Sequence, residues 1–574
     1  MRISRFSCVW CVLAIAAPTA LARQHTWRAS VTSSGAQANG HSWPSSISSD
    51  GRYVAFLSNA PVFGGPGSTQ SYYVALLHDN VTGATERIDL DSNGQPALPA
   101  CDGNTQVSTD GRYVAFRSSS HWLIANDTNG HADIFVRDRQ LGTTTRVSVS
   151  STGVESLWNS QNASMTPDGA LVAFDSGGRK HVLGDNNLSD DVFVHEMATG
   201  ATTRVSVDSA GVEGNSHSRY PAISADGRFV AFASAAANLV AGDNNGAWDV
   251  FVHDRQTGVT EIASVSSAGI QGVGSPQYWM GPAISGDGHR VVFLCPAADL
   301  TALPYRVLVR DRATSQTFGV DDLSIGAPML IQGLQGLTIS ADGERVAFAS
   351  SYVGFAGDVN GINTDIFVRD IASQTTSLES LGPTGVTGNQ PSYRPALSAD
   401  GRFITFTSLA WDLVPDDTND FQDIFVRDTA SYQPTPYCTA SVSTGGCTPA
   451  WSWNGAPSAS ATWGWNVRLS GLDRERAALI FYGLAGRTAG SWGGTSFLCV
   501  KPPVQRTDLQ STGGVNACDG AIALDWRLFL SDHPTAFGNP LAVGAVVDAQ
   551  CWYRDPPAPK TTNLSGALEF TIVP

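Results

Sequence analysis

The stretch DNNGAWDVFVHDRQTG, residues 243–258, sets an aspartate, an asparagine two residues on and a second aspartate four beyond that. The pattern recurs. Asp127/Asn129/Asp133, Asp185/Asn187/Asp191, Asp243/Asn245/Asp249 and Asp417/Asn419/Asp423 share this spacing, and Asp358/Asn360/Asp365 is one residue longer. Carboxylate and amide oxygens on a glycine-bearing loop suit calcium, which takes roughly six to eight oxygen ligands. Each loop offers three side chains, so backbone carbonyls and water would have to complete the shell. The loops lack the bidentate glutamate that closes an EF-hand loop. Asp and Asn also build turns without any ion, by bonding their own backbone. Both readings stand on the residues alone. No G-x-S-x-G, H-E-x-x-H, phosphate-binding loop or dinucleotide fingerprint accompanies them.

The elements that must position these loops repeat along the chain. SSDGRYVAF returns as STDGRYVAF, TPDGALVAF, SADGRFVAF, SGDGHRVVF, SADGERVAF and SADGRFITF, with the Asp of each DG at 50, 110, 168, 226, 287, 342 and 400. Each unit reads as four short strands. In the fourth unit one strand ends at Ile223-Ser224, and Asp226-Gly227 forms a tight hairpin because Gly tolerates positive φ. Arg228–Ser234 is the second strand and Asp249–Asp254 the third. After a turn at Gln256-Thr257-Gly258, the fourth runs over Val259–Val265. Four-stranded antiparallel units at this period are propeller blades. The seventh unit stops after Asp423–Asp428, while Thr26–Gly40 matches the fourth-strand segment TTRVSVSSTGVES. The N-terminal strand should therefore complete the last blade and leave no open edge. The expected fold is all-β: a seven-bladed β-propeller closed by an N-terminal strand over residues 23–430, a linker over 431–440 and a smaller β-sandwich-like domain over 441–574.

Pro167-Asp168-Gly169 with Val172-Ala173-Phe174, and Ile134-Phe135-Val136-Arg137-Asp138, resemble the two hairpins of the TolB-type, WD40-like (PD40) repeat family of β-propellers. The resemblance covers roughly residues 26–430. It implies the fold and little about function, since the wider class includes peptidase partners and polysaccharide lyases.

This topology puts the DG and T-G turns on one face and the long loops on the other. A ligand site belongs on the long-loop face or at its central mouth. Trp43, Trp158 and Trp279 fall just before first strands, and His217, Tyr220 and Tyr393 lie in nearly the same place. Trp122, Trp248 and Trp411 fall in loops between second and third strands. These aromatics could stack on sugars or grip a peptide, or they could wedge between blades. His41, His217, Arg219 and Arg394 are the groups whose convergence on the axis would favour catalysis. The residue after each FV-type run is His78, Arg137, His195, His253, Arg310, Arg369 or Arg427. It sits beside an acid in most units and reads as a repeated ion pair.

Arg2, Arg5, the apolar run Cys8–Ala17 and the A-x-A site Ala20-Leu21-Ala22 read as a signal peptide over 1–22. No later stretch reaches the length of a spanning helix. The expected location is exported: periplasmic, cell-surface or secreted. The net charge of −16, with only Lys180, Lys501 and Lys560 as lysines, argues against a nucleic-acid partner. The last domain holds seven of the fifteen tryptophans. Trp463, Trp465, Trp492 and Trp552 could form a glycan platform or fill a core. The domain resembles a module appended to varied exported bacterial proteins, marked by FYG, LCVKPP and QCWYRDP. Among its five cysteines, Cys438–Cys447 is the disulfide expected, because the loop between them is short.

The sequence thus points to an exported, monomeric, non-enzymatic propeller that binds a protein, peptide or glycan. Calcium is the one cofactor it suggests. The alternative is a polysaccharide lyase or hydrolase acting at the channel mouth.

Overall fold

A computed structural model describes residues 25–572 apart from 65–71, 97–100, 126, 273–280, 296–299, 301–305, 321–335, 352–357, 359, 362, 383–384, 416, 430–434, 439–441, 455–465, 494–495, 538, 540, 542–544 and 557–560. The expected leader, Trp279, Trp463, Trp465 and most of the linker lie outside the described residues, as does the side chain of Trp492. Gln24–Ala430 forms one compact unit, and Ser431–Pro457 with Trp463–Ile572 a second.

The first unit is built of seven four-stranded antiparallel sheets, called blades 1–7 in chain order. Blade 4 comprises Ser218–Ile223, Phe229–Ser234, Asp249–Asp254 and Thr260–Ile262. The fourth strand is shorter than expected because the chain folds back on itself after Ile262, through a bridge between Val265 and Gln271. Second and third strands are apolar on both sides. Val230, Ala231 and Phe232 are fully buried, as are Phe251 and Val252, because neighbouring blades cover both faces. Phe232 stacks on Phe251 at 6.0 Å, and Phe116–Phe135, Phe174–Phe193, Phe348–Phe367 and Phe406–Phe425 repeat the pair. Each first strand packs on the strands of the preceding blade, and that of blade 1 packs on blade 7.

Blade 7 takes its outer strand from the other end of the chain. His25–Arg28 pairs antiparallel with Asp423–Asp428, running from His25 opposite Asp428 to Arg28 opposite Phe425.

The two hairpins of a blade are pinned together by charge. Ser224 Oγ and the Arg228 N–H both donate to Asp226 Oδ1, at 2.6 and 3.0 Å, which shapes the turn around Gly227 at φ +70°. A Cβ on Gly227 would strike Leu171 at 2.1 Å. Arg228 then reaches across to Asp254 with bonds of 3.0 and 2.7 Å. Its guanidinium holds the Asp254 carboxyl well below the usual carboxylate range. Arg52–Asp79, Arg112–Asp138 and Arg402–Asp428 repeat the bridge. This corrects the ion pair expected after the FV-type run. The acid there pairs with the hairpin arginine, and the basic residue before it bonds the threonine opposite. His78, His195 and His253 meet Thr85, Thr202 and Thr260 at 2.8–2.9 Å, and Arg137, Arg310 and Arg369 meet Thr144, Thr317 and Thr376 at 3.1 Å. Burial pushes His78 down to about 4, so it sits neutral at neutral pH.

The second unit has a six-stranded sheet and a three-stranded sheet. Their apolar faces share one core, in which Val467 and Leu469 of the smaller sheet join Ile480, Tyr482, Val547 and Leu568 of the larger. This is a sandwich-like arrangement. Trp526 fills that core, and Trp552 is half-buried in a satellite cluster. The expected Cys438–Cys447 disulfide is not formed. Cys438 joins Cys499 and Cys447 joins Cys518, because the sheet brings the strand bearing Cys499 alongside Tyr437, whose hydroxyl donates to the Cys499 carbonyl at 3.1 Å. Cys101, Cys295 and Cys551 are buried free thiols.

Two outcomes follow. Non-reducing peptide mapping should recover Cys438 with Cys499 and Cys447 with Cys518; a Cys438–Cys447 peptide would contradict this pairing. Deleting residues 25–31 should leave the Asp423–Asp428 edge unpaired and turn one cooperative circular-dichroism melt into an early, broad one. An unchanged melt would show that this strand does not hold blade 7.

Candidate functional site

The first strands of all seven blades line a single cavity of about 690 Å³. Five of these strands carry a register shift near the middle, as between Gln161 and Ser164, Arg219 and Ala222, and Tyr393 and Ala396. The chain bulges there into the left-handed region. Asn162, Tyr220 and Arg394 hold φ of 51°, 56° and 53° without being glycine, a conformation that costs on the order of 1 kcal/mol per residue. Asp175 supports two of these bulges. Its Oδ1 accepts from Asn162 Nδ2 at 2.8 Å and from the Tyr220 N–H at 3.1 Å. Burial pushes the Asp175 carboxyl up to about 6. Arg394 lies over the Trp43 ring at 5.4 Å.

Most of the expected catalytic candidates are engaged elsewhere. His217 Nδ1 accepts the Asp190 N–H at 3.0 Å, and Arg219 donates to Asp190 at 2.5 Å. His41 Nδ1 accepts the Gln422 N–H at 3.2 Å, and Asn159 Oδ1 accepts the Ala132 N–H at 2.9 Å. The position before each of these first strands is therefore a latch to the preceding blade, which offers an otherwise unmatched N–H. His41, His217 and Arg219 do not converge on the axis. Arg394 and Tyr220 do line the channel.

The aromatics divide in two. Trp43 is half-buried against Tyr73, ring centroids 6.3 Å apart, in the core between blades 1 and 2; it wedges the blades. Tyr393 is half-buried too. Trp122, Trp158 and Trp411 are 64%, 62% and 57% exposed. Trp158 stacks on His131 at 6.3 Å and 15°, and Trp122 lies against His121 at 4.5 Å. Trp158 also borders Gly177, at the start of the next blade's long loop. That loop exposes Leu183 and Leu188, and Leu157 is exposed beside Trp158. Neighbouring loops of blades 2 and 3 thus present an apolar, aromatic surface on the long-loop face, of the kind that marks an interaction site.

The five acidic loops share one frame. The last Asp accepts from a serine of the fourth-strand segment: Asp133 from Ser148, Asp191 from Ser206, Asp249 from Ser264 and Asp365 from Ser380, at 2.5–2.7 Å, and Asp423 from Ser30. In four loops the Asn carbonyl accepts the N–H two residues on, at 2.8–3.0 Å. These are Asx-turns, as the second sequence reading holds. The loops differ in what balances their charge. In blade 2, Arg146 sits 3.1 Å from Asp127, 3.2 Å from Asp133 and 2.9 Å from Glu155. In blade 3, Asp185, Asp191 and Glu213 come close enough together to hold an ion, but Arg204 lies among them at 3.9, 3.2 and 2.7 Å. In blade 7, Arg28 faces Asp417 and Asp423 at 3.2 and 3.5 Å. A guanidinium occupies the place a cation would take. Blade 4 has Ile262 at that register position, opposite Phe251. There Asn245 donates to Asp249 at 2.8 Å, and the Gln271 side chain bonds Asp243. Blade 6 has Leu378, opposite Phe367, and neither substitute. Burial pushes Asp365 up to about 7, against about 6 for Asp191, Asp249 and Asp423. The five loops are therefore not one set. The arginines that distinguish them stand in the quoted TRVSV and WRASV segments, where sequence reading passed over them.

The chain matches no known family model and no curated protein. Among solved structures it is similar to a putative TolB from Agrobacterium tumefaciens, at 18% identity over 50% of this chain and 82% of that one, with a TM-score of 0.32. It is also similar to the β-propeller domain of the trilobed protease from Pyrococcus furiosus, at 10% identity over 68% and 96% with a TM-score of 0.42. An acylaminoacyl peptidase from Pyrococcus horikoshii aligns at 11% over 75% and 57%, with a TM-score of 0.41. These superpositions are loose.

Replacing Arg146 by Met should leave Asp127, Asp133 and Glu155 without their buried cation and destabilise the protein by roughly 3–5 kcal/mol, the usual cost of stranding buried charge. Urea unfolding measures this. A loss under about 1 kcal/mol would show that the guanidinium is incidental, as most exposed pairs are.

Proposed function

We propose that the seven blades form one closed, seven-bladed ring, and that this exported, monomeric chain is a binding scaffold rather than an enzyme. Its ligand, a glycan in the first instance and otherwise a peptide or protein segment, lies on the long-loop face across the surface of blades 2 and 3. The observation that carries this reading is the pair of exposed indoles, Trp122 and Trp158, each set against a histidine. Flat aromatic faces rimmed by Asn, Asp and Ser suit stacking on sugar rings with hydrogen bonds around them. The C-terminal unit serves as an accessory binding or attachment domain. No described helix is long and apolar enough to cross a membrane.

A hydrolase or lyase at the channel mouth is the second reading. Asp175 favours it, as a carboxyl with a raised pKa beside a strained channel residue. Its full burial and the engagement of His217 and Arg219 weigh the other way.

The test is a glycan-array and peptide-library screen of the mature protein, repeated with Trp122→Ala and Trp158→Ala. A ligand whose binding falls at least tenfold in both variants, with the unfolding midpoint unchanged, supports the scaffold reading. Binding that ignores both tryptophans, or turnover of a bound polysaccharide, would overturn it.

A further inference from the structure

The blade 6 loop departs from the other four in what it leaves unmatched. Asp365 is fully buried and Thr387 is 3% exposed. Asp365 Oδ2, Asp358 Oδ2, Asn360 Oδ1 and Thr387 Oγ1 are all buried with no hydrogen-bond partner among the described residues. Each gap has a local cause. The loop is one residue longer, so the Asn360 carbonyl misses the N–H that Asn129, Asn187, Asn245 and Asn419 bond. Asn360 Nδ2 donates to the Gly388 carbonyl at 2.6 Å. Thr387 bridges Leu381 in the register place of Glu155, Glu213 and Gln271. Leu378 stands where Arg146 and Arg204 stand.

In blade 2 the groups at these same places all meet one guanidinium nitrogen. The frame therefore gathers its oxygens about a single point, and in three blades that point is filled by a cation of the chain itself. A buried polar oxygen left without a partner is costly, and here four of them fall in one loop. We infer that the blade 6 loop binds one calcium ion through Asp358, Asn360, Asp365 and Thr387, and that the loops of blades 2, 3, 4 and 7 bind none. Two carboxylates, an amide carbonyl and a hydroxyl are hard oxygen donors, the set calcium takes, with backbone carbonyls and water left to complete its shell. No histidine or thiol is among them, which argues against zinc or copper. An irregular loop suits calcium better than magnesium, which demands near-octahedral geometry.

The test uses the full mature protein stripped with chelator at pH 7.5, titrated with calcium, and separately with magnesium, by calorimetry and thermal unfolding. The expected result is one calcium per chain and a rise in the unfolding midpoint of at least about 3 °C, with little response to magnesium. Asp365→Asn should abolish both signals, and Leu378→Arg should abolish them by supplying the guanidinium. Thr387→Val, the mildest change, should weaken binding at least fivefold if either of those fails to fold. Asp249→Asn in blade 4 should leave the response intact. No calcium uptake by the wild type overturns the inference. So does uptake that survives both Asp365→Asn and Leu378→Arg, which would place the ion elsewhere. A midpoint that climbs as pH falls from 8 to 6 yet ignores calcium would also overturn it, by showing that a proton fills the loop.

Discussion

A blade covered on both faces can keep a carboxylate at its loop edge only if something positive, or a full set of donors, comes with it. Burying an isolated charge costs far more than any one contact returns. That constraint organises the long-loop side of this propeller. Every acidic loop sets its last aspartate at the start of a third strand, where burial is complete or nearly so. Serine satisfies one oxygen in all five loops. The other oxygen is met by arginine with asparagine in blades 2, 3 and 7, by asparagine alone in blade 4, and by neither in blade 6. The blade 6 loop thereby becomes a candidate cation site by the same rule that makes three of its equivalents arginine sites.

The opposite face follows a related logic with cheaper means. The hairpin arginine and the turn aspartate form a partly exposed bridge that fixes how two hairpins meet, as with Arg228 and Asp254. Between these faces the blades hold together through stacked phenylalanines and through side-chain latches such as His41 and His217. These engagements explain why groups that could do acid–base chemistry are spent on joining blades. The surface left over, the indoles of Trp122 and Trp158 with leucines around them, has no structural partner of that kind and is where a ligand has reason to bind.

The sheet architecture was legible in the sequence because each unit writes it twice, once in Asp-Gly and once in a doubly apolar run such as VAF or IFV. The N-terminal strand was legible too, since WRASV matches TRVSV and the seventh unit lacks its last strand. The split among the loops was hidden because the deciding residue sits on the next strand, outside the Asp–Asn–Asp motif. Aligning Arg28, Arg146, Arg204, Ile262 and Leu378 would have exposed it. The tryptophans misled for a different reason. Trp43 lies within its strand and Trp158 two residues ahead of one, a small offset that separates a wedge from an open surface. Disulfide partners were not legible at all, since Cys499 and Cys518 meet Cys438 and Cys447 only through the folding of the second unit.

The central claim is that charge compensation, blade by blade, decides where a cation can sit. An anomalous difference map from crystals of the wild-type protein soaked in a lanthanide, a heavy stand-in for calcium, tests it most directly. The account predicts one strong peak among the oxygens of Asp358, Asp365, Asn360 and Thr387, and none beside Arg28, Arg146 or Arg204. A peak at the arginine-filled loops, or an empty blade 6 loop at saturating ion, would contradict it.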